Sequence, residues 1–130
     1  MTKNKFSLSR SSLGKLGGVH PDLVKIVKRA IELTKVDFGI TEGLRSVERQ
    51  KKLVLEGKSQ TMLSRHLTGH AIDVVAYING KVSWDFENYE KISDAMFKAA
   101  AEFDIPITWG GLWTTLKDGP HFELHRGKYP

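Results

Sequence analysis

The chain has 130 residues, 40% hydrophobic and 27% charged, the balance of one globular domain large enough for its own core. It contains no cysteine, which excludes disulfides and thiolate metal sites, so any bound metal has to be held by nitrogen and oxygen. A formal charge of +5 favours polyanions, among them nucleic acid, anionic lipid and bacterial envelope polymers, but the basic residues are spread out, which weakens the nucleic-acid reading.

Residues 1–8 are basic and read as a loose arm. No apolar stretch follows them, so neither a secretory signal nor a membrane span is expected, and synthesis in the cytoplasm is. Ser9 or Ser11 can cap a short helix ending at Gly14 or at Gly17-Gly18. Pro21 suits the first turn of a helix running to about Thr34. Its Leu23, Ile26, Val27, Ala30 and Ile31 make one apolar face, and Lys25, Lys28, Arg29 and Glu32 a solvated one. Phe38 to Thr41 reads as a strand leading into Glu42-Gly43-Leu44-Arg45. Ser46 then caps a helix to about Glu56, stopped by Gly57, with Val47, Leu53 and Val54 turned inward. Lys58 to Leu63 is a polar loop.

The run from His70 to Tyr77 is β-rich and ends at Asn79-Gly80, a pair suited to a type I′ hairpin turn. Alternation puts Ala71, Asp73 and Val75 on one face. The longest helix spans about Phe86 to Phe103, with Tyr89, Ile92, Met96, Ala99 and Phe103 as its buried stripe. Pro106 ends that segment. Ile107 to Trp109 forms another strand, Gly110 to Trp113 a turn, and in His121-Phe122-Glu123-Leu124 the first and third residues share a face while Phe122 and Leu124 enter the core.

Chemistry concentrates in two segments. His66 and Asp73 stand seven positions apart around Gly69, half of a metal site, and Asp118-Gly119-Pro120-His121 supplies the other half. An acid between apolar neighbours on a strand is costly unless it is paired or metal-bound. His66, Asp73 and His121 are therefore expected to bind one Zn²⁺ and leave a fourth position for water, whose pKa the ion lowers to roughly 7. Asp118, aimed by the Gly119-Pro120 bend, is the candidate for moving the proton. Arg45 is the candidate cation for a substrate carboxylate or a developing oxyanion, although it also has Glu42 and Glu48 within reach as ordinary ion-pair partners. His20, His70 and His125 read as surface or internally satisfied residues, with His70 facing away from the metal.

These residues carry a resemblance. Ser64-x-His66-x-x-Gly69-x-Ala71-x-Asp73 with Asp118-x-x-His121 resembles the zinc D-alanyl-D-alanine carboxypeptidase and dipeptidase group. Within that group it is most similar to phage L-alanyl-D-glutamate peptidase endolysins. Gly43-Leu44-Arg45-Ser46 with Gln50, and Trp109-Gly110-Gly111 before Pro120-His121-Phe122-Glu123, extend the likeness from Pro21 to Leu124.

The resemblance implies a small α+β domain, an antiparallel sheet packed with about three helices, of the hedgehog and DD-peptidase type. It implies zinc on His66, Asp73 and His121, Asp118 as base and then acid, and Arg45 with Ser64 holding substrate or oxyanion. It also implies one domain over residues 1–130 without a separate wall-binding domain, a monomer cutting peptidoglycan between L-Ala and D-Glu. Such a protein reaches the wall through a membrane hole late in infection. One departure is Leu112, where many relatives carry an acid after Gly-Gly. The competing readings are a D,D-carboxypeptidase or dipeptidase with the same metal, and a basic envelope- or nucleic-acid-binding module whose metal is structural.

Overall fold

A computed structural model describes residues 6–59, 64–114 and 117–130. Its helices are α1 (Arg10–Lys15), α2 (Pro21–Leu33), α3 (Val47–Leu55) and α4 (Phe86–Phe103). Its strands are β1 (Asp37–Glu42), β2 (Ala71–Ile78), β3 (Lys81–Ser83), β4 (Ile107–Trp109) and β5 (His121–Leu124), and single 3₁₀ turns cover Arg65–Thr68 and Gly110–Leu112. The expected α+β class holds, with the six-residue α1 added to three longer helices.

The strands form one antiparallel sheet in the order β1-β2-β5-β4, and β3 pairs with the far end of β2. Ile72, Val74, Ala76, Phe122 and Leu124 enter the core against α2 and α4, together with Phe38 and Ile40 of β1. Burial of such side chains stabilises by about 1.5–3 kcal/mol each. The apolar face of α2 is buried as its periodicity requires, and Pro21 opens the helix. His20 caps it, its Nδ1 accepting from the Asp22 amide. Asn79 and Gly80 have φ of 53° and 77°, the positive values a type I′ turn demands.

Several expectations need correcting. Phe6 and Leu8 pack against the core, so those residues are no loose arm; residues 1–5 lie outside the described ones. Val47 is exposed and Val54 half-buried, while Gln50 joins Leu53 on the inward side of α3. Val47 is the first residue of its helix and points to solvent, whereas Gln50 and Leu53 are one turn apart on the face that meets the chain. Phe103 ends α4 with its ring partly exposed beneath the Lys25 ammonium, 5.3 Å from the ring centre. The strand begins at Ala71, and the loop expected from Lys58 to Leu63 lies partly outside the described residues.

Candidate active site

Asp73 and His121 are cross-strand partners in the β2–β5 ladder, so their side chains stand next to one another on the face away from α2 and α4. His66 arrives from outside the sheet, on the 3₁₀ turn that Ser64 caps by accepting from the His66 amide. The result is a convergence on one oxygen: Asp73 Oδ1 lies 3.3 Å from His66 Nε2 and 3.2 Å from His121 Nδ1. Each of the three residues offers a donor atom within 4.8 Å of the others. No fourth histidine or carboxylate joins them among the described residues.

The remaining ring nitrogens are already engaged. His66 Nδ1 lies 2.9 Å from the Gly43 carbonyl, and His121 Nε2 lies 2.8 Å from Glu123 Oε1. A carbonyl can only accept, so His66 carries a proton on Nδ1, and Nε2 is the nitrogen it turns to the cluster. Glu123, ionised, likewise accepts from Nε2–H, and Nδ1 is the nitrogen His121 turns to the cluster. Two imidazole nitrogens and one carboxylate thus face a common point, a donor set that fits a borderline divalent ion such as Zn²⁺ once the nitrogens are deprotonated.

The electrostatics are those of a centre built to be charged. Burial raises the Asp73 carboxyl, and hydrogen bonds from His121 and His66 overcome it, holding the acid well below its usual range. Burial lowers His121, yet Asp73 and Glu123 together push it up to about 9, so without an ion the cluster keeps a proton in its place. Glu123 is raised by burial but held low by His121 and Arg126.

Asp118 opens the bend that delivers His121. The His121 amide donates to the Asp118 carbonyl at 3.1 Å, the Trp109 indole to the Gly119 carbonyl at 2.7 Å, and the Val74 amide to the Pro120 carbonyl at 3.0 Å. Gly110 lies under the bend, and any side chain there would collide with the Asp118 carbonyl and crowd His121 Cβ. Asp118 faces the cleft that also holds His66, Asp73 and His121. Burial, then the Asp73 charge, raise its pKa above the ordinary 3.8.

Arg45 reaches the site from the end of β1. A β-bulge between Ile40 and Glu42 sets Glu42, not Thr41, opposite Asp73. Arg45 Nε then donates to Glu42 Oε1 at 2.7 Å, and its NH1 to Gln50 Oε1 at 2.8 Å and to Ser64 Oγ at 3.4 Å. Its NH2 faces Asp73 Oδ2 at 3.9 Å. Of the two ion-pair partners weighed from sequence, Glu42 is the one used, and Arg45 stands beside the ligand group as well. Gly43 allows the close passage: a Cβ there would strike the Lys15 carbonyl.

All six expected site residues therefore line one cleft of about 860 Å³. His20, His70 and His125 stay out of it. Their Nδ1 atoms meet the Asp22 amide, Thr68 Oγ1 and the Gly127 amide. Glu42 was named from sequence as a partner of Arg45, whereas Gln50 as a second partner and the Gly43 carbonyl behind His66 were not. Glu123 was placed on the right face without a role.

The fold and cleft are those of a small α+β endopeptidase domain. The crystal structure of Serratia marcescens L-Ala D-Glu endopeptidase ChiX superimposes with a TM-score of 0.92 at 50% identity, over 98% of this chain and 95% of that one. The profile of the phage L-alanyl-D-glutamate peptidase family matches residues 4–129. The L-alanyl-D-glutamate peptidase of Escherichia phage T5 is 36% identical over 128 residues, 95% of this chain and 93% of that protein. The peptidoglycan L-alanyl-D-glutamate endopeptidase CwlK of Bacillus subtilis (strain 168) is 31% identical over 126 residues, 82% of this chain and 75% of that one. The chain belongs to the phage L-alanyl-D-glutamate peptidase family.

Proposed function

We propose that this chain is a zinc-dependent peptidoglycan endopeptidase, a phage endolysin that hydrolyses the bond between L-alanine and D-glutamate in the stem peptide. The L-alanyl-D-glutamate peptidase activities for which its phage, Bacillus and Serratia relatives are named support the substrate. The observation that carries the reading is the meeting of His66 Nε2 and His121 Nδ1 at Asp73 Oδ1, with the opposite ring nitrogens already bonded.

His66, Asp73 and His121 would hold the ion. Bound there, zinc supplies Lewis acidity, polarising the scissile carbonyl and acidifying water near neutral pH. The chain's own residues do the rest. Asp118, as carboxylate, takes the proton of the attacking water while the new C–O bond forms. It then gives that proton to the glutamyl nitrogen as the C–N bond breaks, leaving an alanyl carboxylate and a free amine. Arg45 NH2, beside Asp73, donates to the oxygen on which negative charge develops, and Ser64 with Glu42 and Gln50 keeps the guanidinium in place.

The protein works as a monomer, made in the host cytoplasm and reaching the wall through a membrane hole. No described helix is long and apolar enough to cross a membrane. The net charge of +5 favours an anionic envelope.

The test is lysis of outer-membrane-stripped cells with and without a chelator, followed by mass spectrometry of the fragments. Chelator-sensitive lysis that frees D-glutamyl amino termini is expected. Fragments ending at the D-Ala–D-Ala bond, or lysis indifferent to chelation, would replace this reading with another.

A further inference from the structure

A glutamyl residue joined through its nitrogen has two carboxyl groups, and at most one of them continues the chain. The other is a free carboxylate unless it has been amidated. A peptidase selecting that residue on the leaving side of the scissile bond therefore gains from a cation placed to meet it.

Four basic side chains line the cleft among the described residues: Arg45, Lys58, Arg65 and Arg126. Two are committed. Arg45, 9% exposed, gives Nε and NH1 to Glu42, Gln50 and Ser64 and turns NH2 to Asp73, where the scissile carbonyl belongs. Arg65, 10% exposed, donates through NH2 to the Leu124 and Tyr129 carbonyls and sets Nε 3.6 Å from Glu123.

Lys58 and Arg126 remain, and Lys58 has its Nζ 3.6 Å from Glu56 Oε1. Lys58 follows the end of α3, between Gly57 and Ser59, which also line the cleft. Arg126 follows β5, whose His121 and Glu123 line the cleft with it. Asp118, which returns the proton to the leaving nitrogen, leads into this same strand.

Arg126 is also tethered there. Its Nε donates to Glu123 Oε2 at 3.4 Å, and Glu123 Oε1 in turn meets His121. Its side chain is 66% exposed, and its terminal nitrogens have no partner among the described residues. A guanidinium fork left open to the cleft matches the planar, bidentate geometry of a carboxylate.

We infer that Arg126 is a specificity-determining residue that receives the free carboxylate of the glutamyl residue on the leaving side of the bond. The inference rests on the reading of Asp118 and of the substrate proposed above. The two are separable by experiment.

The test compares kcat/KM on two synthetic stem peptides, one with the free glutamyl carboxylate and one with it amidated, for the parent protein, R126Q, R126K and K58Q. Metal content and circular dichroism confirm that each variant is folded and loaded. The parent is expected to favour the acid over the amide by about tenfold to a hundredfold, the worth of one charge-assisted hydrogen-bonded pair. R126Q should bring that ratio towards one, R126K should recover part of it, and K58Q should keep it. A parent protein that cleaves both peptides equally, a preference that survives in R126Q, or one lost in K58Q instead would overturn the assignment while leaving the endopeptidase reading intact. Cleavage of neither peptide by the parent would overturn that reading and this inference with it.

Discussion

His121 and Glu123 lie two residues apart on β5 and meet through Nε2 and Oε1 at 2.8 Å, on the side of the imidazole away from Asp73. The carboxylate is buried and fixes which nitrogen of His121 is free, as carboxylates behind metal-bound histidines do. Replacing Glu123 by Leu, which removes the acceptor, should weaken zinc binding by about tenfold to a hundredfold in competition with a chromogenic chelator. Glu123→Gln keeps an accepting oxygen and should stay close to the parent. Equal affinity in the leucine variant would mean that the imidazole is oriented by packing alone.

Asp118→Asn retains shape and loses the ability to carry a proton. Its kcat on a stem peptide should fall by about 10²- to 10⁴-fold, the usual worth of general acid–base catalysis, with zinc still stoichiometric by elemental analysis. In the parent, activity should fail on the acid side as Asp118 takes up a proton. Burial and the Asp73 charge raise that pKa, so the midpoint of the acid limb belongs above 3.8. An asparagine variant with near-parental turnover would remove Asp118 from the chemistry.

Arg45→Lys preserves charge but cannot span Glu42, Gln50 and Ser64 at once. The loss should appear in kcat, by about 10²-fold, the order expected for one oxyanion donor, with KM changing far less. A defect confined to KM would instead assign Arg45 to ground-state binding.

Without metal, the protein's stability should depend on pH in a defined way. His121 is raised from 6.5 to about 9, so the stabilisation it draws from Asp73 and Glu123 is complete below 6.5 and is lost as pH rises through about 9. Asp73 is depressed, so its contribution is present above 3.8 and disappears as pH falls through its folded value. Chelator-stripped protein should therefore lose melting temperature between pH 6.5 and 9, by differential scanning fluorimetry. Zinc should flatten that decline, because the ion occupies the place of the proton and binds more tightly as the proton leaves. A melting temperature that stays level over this range in the stripped protein would contradict the His121 assignment.

The grouping of these side chains was legible because metal ligands have restricted types and the strands a strict period. His66, Asp73, Asp118 and His121 could be singled out, and alternation along β5 put His121 and Glu123 on one face. The supports were harder to see. Gln50 lies at helical spacing from Leu53, but nothing local says that a buried amide faces an arginine from another segment. The Gly43 carbonyl is invisible to any residue pattern, since every residue has one. Val47 was expected inside because it is apolar, yet its place in the first turn of α3 governs its exposure.

The bulge at Thr41 reaches further than its size suggests. With an even register, Thr41 would have stood beside Asp73, and the glutamate would have faced the opposite side of the sheet. A single added residue hands that position to an acid, and the acid in turn fastens the arginine. Straightening the strand at unchanged length would therefore unfasten the arginine from a place outside the cluster of His66, Asp73 and His121, while every histidine and aspartate of that cluster stayed where it was.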